Sequence, residues 1–553
     1  MAEACKSSIV PVVPTNAIHL PIPRLRRFLA WAGLAAWLSL LTGLRAEIVL
    51  PPLHAPGTKP RPVEKSAKNA KTTAAKTKTP AKLPKVTKPN VVIILTDDLG
   101  INDLHCYGRT EHRTPRLDRL AAEGMRFTSA YCAQPICSAS RAALLTGKSP
   151  ARLHLTTFLP GREDCPAQKL LHPAIAKELP LEEKTFAEYF KEAGYKTAFF
   201  GKWHLGGYGF EPNNQGFDEF DPGLSTTPAT SQEGGKGEYG LTAKAERFLE
   251  RNHKTPFLLV LSHNSPHIPY TAKPALVARN SEAFEPVYAG LIETLDDSVG
   301  RLLSTMDSLG LHNNTLVIFT SDNGGLHVPE LKHVRVTHNT PYRAGKGFLY
   351  EGGLRIPLIA RFPGVIPANR TNDAVFMNTD WTPTLLNFAG IKPVKGAELD
   401  GVDRSEVLRG KTTKSSAPSF WHFPHYTNQG GRPAGAMREG EWKLIEHYET
   451  GTHELYNLTK DPGERDDRAA AEKSRVSKLA TSLQRWRQTV GAQTNAPNPA
   501  FVPAQHVPLY EAVDVSKFEP AKADRQEMSR ILAWRKEMDE AAKRPNVPPV
   551  PAP

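Results

Sequence analysis

Carboxylate and amide side chains follow two apolar, β-branched runs of this chain. They are Asp97, Asp98, Asp322 and Asn323. Their oxygens are hard ligands, and crowded carboxylates repel one another unless a cation offsets them, so the set suits Ca²⁺ or Mg²⁺ better than zinc. The residue types therefore predict a site for a divalent cation if the fold brings these side chains together.

Three cationic side chains accompany this acidic set, namely Arg141, Lys202 and Lys346. Three carboxylates around one divalent ion leave an excess of about one negative charge, which the three cations would reverse. The pocket should therefore attract an anion. Taken alone, Asp97-Asp98 is typical of an ordinary turn or helix cap, and only the conjunction of motifs favours a site.

The apolar runs predict the strands that must position these side chains. They cover residues 90–96, 196–201, 256–262, 315–321 and 356–362. Helical patterns lie between them, at residues 115–125, 181–193 and 284–309. This alternation predicts an α/β domain with a large, mostly parallel sheet flanked by helices, in which sites form beyond the carboxyl ends of the strands.

A smaller α+β subdomain is predicted after residue 400. Short strands are indicated at residues 436–447 and 452–458, followed by a helix near 470–490. Residues 494–508 are rich in Pro, Ala and Asn and predict a wrapping or loose segment, and residues 524–543 predict a terminal helix.

Six motifs occur in one order along the chain. They are Asp97-Asp98, Cys137-x-Ala139-x-Arg141, Gly201-Lys202-Trp203-His204, His267-x-Pro269, Asp322-Asn323-Gly324 and Gly345-Lys346-Gly347. In this order they resemble the type I sulfatase family of the alkaline-phosphatase superfamily, over roughly residues 90–480. No single motif is decisive, but their ordered combination is highly specific.

The resemblance implies that Cys137 is oxidised after translation to Cα-formylglycine. Taken alone, this cysteine would be interpreted as a small buried apolar residue. The usual maturation motif has proline where this chain has Ala139, which leaves open whether an anaerobic radical maturase or another formylglycine-generating enzyme acts here.

The resemblance also implies one Ca²⁺ per chain. Its implied ligands are Asp97, Asp98, the converted Cys137, Asp322 and Asn323.

The resemblance further implies a mechanism in which the hydrated aldehyde attacks sulfur and displaces the alcohol. His204 is then the base that lets the aldehyde re-form with release of sulfate. Lys202 and Lys346 neutralise charge on the sulfuryl oxygens, and Arg141 holds the diol. His267 and Lys346 protonate the departing oxygen. Five further histidines are interpreted as structural: His105, His112, His154, His327 and His338.

Two other functions remain open from the sequence. One is a phosphoesterase of the same superfamily, although its zinc members need a Thr or Ser nucleophile and ligands for a second metal. The other is a catalytically silent protein that binds sulfated glycans, which applies if Cys137 is not converted. For the enzyme, the predicted substrate is a sulfated carbohydrate or an aryl sulfate.

The basic charge of the chain is concentrated before residue 90. Of the net charge of +13, residues 1–53 carry +3 and residues 54–89 carry +9, so the remaining body is nearly neutral. A near-neutral body does not favour binding to phosphate backbones, and no nucleic-acid partner is predicted.

The N-terminal sequence predicts export. Three arginines within residues 24–27 precede an uncharged run over residues 28–44, which indicates a cleaved signal or an uncleaved anchor. The protein is expected to be periplasmic, secreted or anchored at the membrane only through this segment. The predicted organisation is a signal peptide or anchor (1–46), a disordered linker (47–89), a catalytic domain (90–400), the α+β subdomain (401–492) and a Pro-rich tail with a terminal helix (493–553).

Overall fold

The computed structural model describes residues 88–413 and 417–548. The predicted signal or anchor and almost all of the predicted linker lie outside the described residues. The strands are β1 Asn90–Thr96, β2 Met125–Phe127, β3 Ala130–Tyr131, β4 Lys196–Gly201, β5 Glu219–Asp221, β6 Phe257–Ser262, β7 Thr315–Ser321, β8 Leu358–Arg361, β9 Arg370–Asn372, β10 Phe376–Met377, β11 Ser419–Phe423, β12 Ala434–Glu439, β13 Trp442–His447 and β14 His453–Asn457.

The helices lie between and after these strands. They are α1 Pro115–Glu123, α2 Cys137–Thr146, α3 Pro150–Leu153, α4 Phe186–Glu192, α5 Glu238–Asn252, α6 Pro274–Arg279, α7 Pro286–Ser308, α8 Glu351–Leu354, α9 Trp381–Ala389, α10 Ser405–Leu408, α11 Lys473–Thr489, α12 Pro503–His506 and α13 Arg525–Ala541. No helix within the two described stretches is both long and apolar enough to cross a bilayer.

An eight-stranded sheet forms the centre of the molecule, in the order β5-β4-β6-β1-β7-β8-β2-β9. The first five strands are parallel, which confirms the predicted sheet. Successive side chains of β1 alternate between two apolar cores: Val91 and Ile93 pack on one face, and Val92 and Ile94 on the other. Burial on both faces explains why this strand is continuously apolar.

One predicted strand runs against the direction of its neighbour. Residues 356–362 contain β8, which pairs antiparallel with β7. The start of an antiparallel strand lies at the edge where the neighbouring parallel strands end. The segment before β8, which contains Lys346, therefore reaches the carboxyl edge of the parallel strands.

The helix predicted over residues 181–193 begins later than its apolar pattern suggests. Thr185 and Glu188 form a reciprocal capping box at the start of α4. The Thr185 hydroxyl accepts from the Glu188 backbone N–H, and the Glu188 carboxylate accepts from the Thr185 N–H. These two bonds satisfy free helix-terminal donors, so the helix begins at Phe186.

A separate four-stranded antiparallel sheet forms the C-terminal subdomain, in the order β11-β12-β13-β14. Leu479 and Leu483 of α11 pack against Met437, Leu444 and Leu455 of that sheet. The tail then returns to the larger part of the molecule, where Asn498 donates to the carbonyls of residues 165 and 168. These two hydrogen bonds hold Asn498 against residues 165–168.

Candidate active site

The carboxyl ends of four parallel strands lie level with one another. Leu95 of β1 pairs with Ser262 of β6, and Ser262 pairs in turn with Gly201 of β4. On the other side of β1, Thr96 pairs with Ser321 of β7. The residues that follow these strands therefore meet at one edge of the sheet, as the sequence predicted.

Cys137 occupies the first position of α2, a helix that is buried throughout its length. The thiol Sγ lies 3.4 Å from Asp97 Oδ1 and 3.9 Å from Asp98 Oδ1. A helix N-terminus presents unpaired N–H groups and a partial positive charge, which suits an anion beside residue 137. Burial raises the pKa of the Cys137 thiol far above its usual range, so the unmodified side chain is a weak nucleophile.

Two lysines neutralise the two carboxylates beside Cys137. Lys202 Nζ lies 2.6 Å from Asp97 Oδ2, and Lys346 Nζ lies 2.7 Å from Asp98 Oδ2. Burial opposes ionisation of Asp97, but Lys202 and the other nearby cations hold its pKa well below the usual range. Burial also opposes ionisation of Asp98, but Lys346 together with the other nearby cations lowers its pKa. Both carboxylates are therefore ionised.

Arg141 ties the third carboxylate to the site. Its Nε donates to Asp322 Oδ2 at 2.8 Å, and its Nη1 donates to Lys202 O and Ser262 Oγ, both at 2.7 Å. Burial raises the pKa of Asp322 to about 6, although the Arg141 charge opposes that shift. Asp322 Oδ1 also accepts from the Asp98 backbone N–H at 3.1 Å.

A tight group of possible metal ligands is formed by Asp97, Asp98, Cys137 and His267. One ligand atom from each of these residues lies within 4.8 Å of the others. The predicted ligand Asn323 borders the group, since its amide nitrogen donates to Asp98 Oδ1 at 2.7 Å. Its buried Oδ1 has no hydrogen-bond partner in the described part of the chain. An orphaned amide oxygen beside two ionised carboxylates fits a hard cation.

The two predicted catalytic histidines have different free nitrogens. His204 Nε2 donates to Leu159 O at 2.9 Å, whereas its buried Nδ1 meets no partner among the described residues. His267 Nδ1 instead donates to Ile268 O at 2.6 Å, and its Nε2 lies 3.6 Å from Asp98 Oδ2. Burial lowers the pKa of His204 to about 3 and that of His267 to about 4, so both imidazoles are neutral and each keeps one bare nitrogen.

Four of the histidines interpreted as structural have contacts that fit this interpretation. His112 and His327 bind the backbone carbonyls of Asp103 and Val515. His154 binds a carbonyl at residue 491, and His338 contacts a buried arginine.

The sequence analysis did not identify two serine hydroxyls that bind residues of the site. Ser262 Oγ accepts from Arg141, and Ser140 Oγ donates to the Asp322 carbonyl at 2.5 Å. Ser262 ends a buried apolar strand and Ser140 lies within the motif that begins at Cys137. A polar residue at the last position of an otherwise apolar strand was the available signal.

The sequence model of the Sulfatase family matches residues 89–391. A second model, described as the C-terminal region of N-sulphoglucosamine sulphohydrolase, matches residues 344–489. Human arylsulfatase A is 35% identical over an alignment of 439 residues that covers 68% of this chain and 82% of that protein. The dog N-acetylgalactosamine-6-sulfatase is 32% identical over 434 residues, covering 68% of this chain and 81% of its own length.

Solved structures show the same architecture. The crystal structure of Ps i-CgsB superposes with a TM-score of 0.64 at 26% identity, covering 80% of this chain and 99% of that chain. A phosphonate monoester hydrolase of Agrobacterium radiobacter shares the fold, with a TM-score of 0.55 at 20% identity over 73% of this chain and 96% of its own. The named relatives are sulfatases, which are sulfuric ester hydrolases. Because the family model spans more than half of the sequence and the arylsulfatase A match covers two thirds of it, this chain belongs to the sulfatase family, in the alkaline-phosphatase superfamily.

Proposed function

We propose that this protein hydrolyses sulfate monoesters of carbohydrates, using a formylglycine formed from Cys137 and one bound Ca²⁺. The observation that carries the proposal is the position of Cys137, at a buried helix N-terminus against two carboxylates that are each paired with a lysine. A carbohydrate substrate is supported by the names of relatives. One is N-acetylgalactosamine-6-sulfatase, and a solved neighbour at 25% identity is a complex with k-i-k-neocarrahexaose.

Conversion of Cys137 would give the site its nucleophile, a hydrated aldehyde. Cys137 is only 1% exposed, so a maturase must reach it before the fold closes around α2. Ala139 lies within the same buried helix.

The predicted Ca²⁺ ligands are Asp97, Asp98, Asp322, Asn323 and the converted residue 137. Without a metal, the three carboxylates are balanced by the charges of Arg141, Lys202 and Lys346. A divalent ion would therefore leave an excess of about two positive charges, which attracts an anionic ester. When bound, Ca²⁺ supplies charge neutralisation for the sulfuryl oxygens.

The protein's own side chains then have separate tasks. Lys202 and Lys346 bind the anionic oxygens of the ester, and Arg141 fixes Asp322 and the end of β6 in place. His204 is neutral and presents a bare Nδ1, which is the form that a general base needs. His267 presents Nε2 toward the carboxylate pair and is 30% exposed, so it can reach the departing oxygen of a bound ester. The negative charge of the ester raises the pKa of His267, so that Nε2 takes up the proton that it then donates to that oxygen.

The N-terminal segment completes the proposal. Export through residues 1–46, to the periplasm, to the medium or to an anchored position, remains a prediction of the sequence. The domain boundaries at residues 89, 400 and 492 are also predictions of the sequence.

Peptide mass spectrometry across Cys137 tests the proposed nucleophile. The protein is produced with a formylglycine-generating enzyme, and turnover of sulfated sugars is measured on the same preparation. We expect the aldehyde or its hydrate, and loss of turnover in Cys137→Ala. Cys132→Ala is the matched control, because Cys132 is equally buried but lies outside the group of possible ligands.

Two outcomes would contradict the proposal. A free thiol at residue 137 with glycan binding and no turnover indicates a silent binding protein. Faster turnover of phosphate or phosphonate esters than of any sulfate ester indicates the other activity found on this fold.

A further inference from the structure

A buried lysine outside the proposed machinery lacks a counter-ion. Lys236 precedes α5 and is 2% exposed. Its Nζ lies 3.0 Å from Thr226 Oγ1 and 3.4 Å from Pro269 O, and both partners are neutral. In the described part of the chain, no carboxylate lies within 4 Å of this ammonium, whereas Lys202 and Lys346 each contact one.

The carboxylates near Lys236 pair with groups other than its ammonium. The Glu238 carboxylate accepts from the Lys236 backbone N–H at 2.8 Å and from the Ser265 hydroxyl. Asp97 and Asp98 attract Lys236 at longer range, but both are paired with the site lysines. Burial lowers the pKa of Lys236 to about 8. Lys236 is therefore a buried cation whose charge the protein neutralises only in part. Such a charge destabilises the folded protein unless a bound anion neutralises it.

The backbone fixes the position of this lysine. A Cβ on Gly235 would lie 1.6 Å from the Thr271 carbonyl oxygen, so only glycine allows the loop to approach residues 268–272 this closely. Thr227 N donates to Gly235 O at 3.0 Å and closes the loop. Lys236 is therefore held against the segment that directly follows His267.

The ammonium lies just beneath the surface of the protein. Its hydrogen-bond partner Thr226 is exposed. An ammonium has three N–H donors, and the structure gives Nζ two acceptors. One donor is left for a ligand oxygen, next to an exposed threonine and to the segment that follows His267.

We propose that Lys236 binds a second anionic group of the substrate, a carboxylate or a further sulfate on the sugar that carries the scissile ester or on its neighbour. The substrate class is then an acidic sulfated oligosaccharide rather than a neutral sugar with one sulfate. This inference rests on the proposed function, because it treats the site at Cys137 as the place where the scissile sulfate binds. It makes Lys236 a specificity-determining residue.

Two disaccharides that differ in one charge provide the test. Each carries the same galactose sulfate, linked to glucuronate in one and to glucose in the other. The quantity compared is the ratio of kcat/KM for the glucuronate compound to that for the glucose compound. A charge-assisted hydrogen bond is worth a factor of roughly 10 to 150. We expect the wild-type ratio to exceed unity and to fall by that factor in Lys236→Met.

Two further variants separate binding from folding. Lys236→Arg keeps the charge and should restore part of the ratio. Lys273→Met is the matched control, because Lys273 lies nearby with its Nζ over the Tyr239 ring, and it should leave the ratio unchanged. The melting temperature of Lys236→Met should not fall, since the variant removes a buried charge without creating a cavity.

Binding to Cys137→Ala protein keeps this inference distinct from the proposed function. Isothermal titration of both disaccharides into Cys137→Ala, with and without Lys236→Met, measures the same preference without turnover. Loss of the preference supports the role of Lys236 even if no sulfate ester is hydrolysed. An equal loss of affinity for both compounds, or a preference that survives Lys236→Met, overturns it.

Discussion

Replacement of His267 by alanine tests how the departing oxygen gains its proton. The His267 ring has one free nitrogen, Nε2, which lies 3.6 Å from Asp98 Oδ2, while Nδ1 is held by the Ile268 carbonyl. A phenolate leaves readily as an anion, whereas a sugar alkoxide is a much stronger base that leaves poorly without a proton. The effect of the substitution should therefore depend on the leaving group.

The magnitude follows from the one nitrogen that His267 offers to a substrate. If Nε2 only binds the sulfuryl group, its removal costs one charge-assisted hydrogen bond of about 1.5–3 kcal/mol, or roughly a 10-fold to 150-fold loss for every ester. General acid catalysis contributes a further factor of about 10²–10⁴ where a proton is needed. For nitrophenyl sulfate we expect only the loss from the missing hydrogen bond. For a sugar sulfate we expect that loss multiplied by the general-acid factor.

The assay is kcat/KM across a series of aryl and alkyl sulfates of graded leaving-group pKa. Lys346→Ala is the comparison, because Lys346 binds sulfuryl oxygens in the proposed site and its loss should weaken turnover of every ester. We expect a steeper dependence on leaving-group pKa in His267→Ala than in wild type or Lys346→Ala. An unchanged slope with a uniform drop would refute the reasoning and make His267 a sulfate ligand only.

Four further outcomes are expected. Chelation should abolish turnover, and Ca²⁺ should restore it better than Zn²⁺, as metal analysis of each preparation will check. Lys443→Met should lower the free energy of unfolding by about 3–5 kcal/mol in denaturant titrations, because it breaks a fully buried triad in which Lys443 Nζ lies 2.8 Å from Glu351 and 2.9 Å from Glu464. Burial opposes ionisation of Glu454, but the hydrogen bond and charge of His447, the charge of Arg343 and the hydroxyl of Tyr350 hold its pKa at about 2, so its contribution to stability is complete above pH ~4.5 and is lost as the pH falls toward 2. Glu454→Gln should therefore flatten the acid limb of the stability profile, by up to about 3 kcal/mol. Deletion of residues 54–89 behind a retained export signal should leave turnover of a small sulfate ester unchanged.

The sequence by itself determined the strands and the chemistry at their ends. Continuous apolar runs such as residues 90–96 and 315–321 can be buried only as central strands, because both of their faces need cover. Residues that follow parallel strands share one edge, so the proximity of Asp97, Lys202 and Asp322 could be derived before any coordinates were known. Local hydrogen bonding explains the boundary errors, as at α4, whose capping box overrides the apolar pattern.

The direction of β8 was decided by tertiary structure alone. The sequence pattern of an apolar strand is the same whether the strand pairs parallel or antiparallel with its neighbour, because the alternation of side chains has no direction along the chain. Only the antiparallel pairing with β7 explains why Lys346, which precedes its strand, lies 2.7 Å from Asp98, which follows one.

Burial without a counter-ion is likewise visible only in three dimensions. Lys236 is one of many lysines in the sequence, and its glycine-rich surroundings suggest a turn. The free Nδ1 of His204 and the orphaned Oδ1 of Asn323 depend in the same way on which neighbouring atoms the fold supplies. Residue types and their order predict what chemistry a chain can perform, whereas unpaired polar atoms in a packed interior show where a ligand must complete the structure.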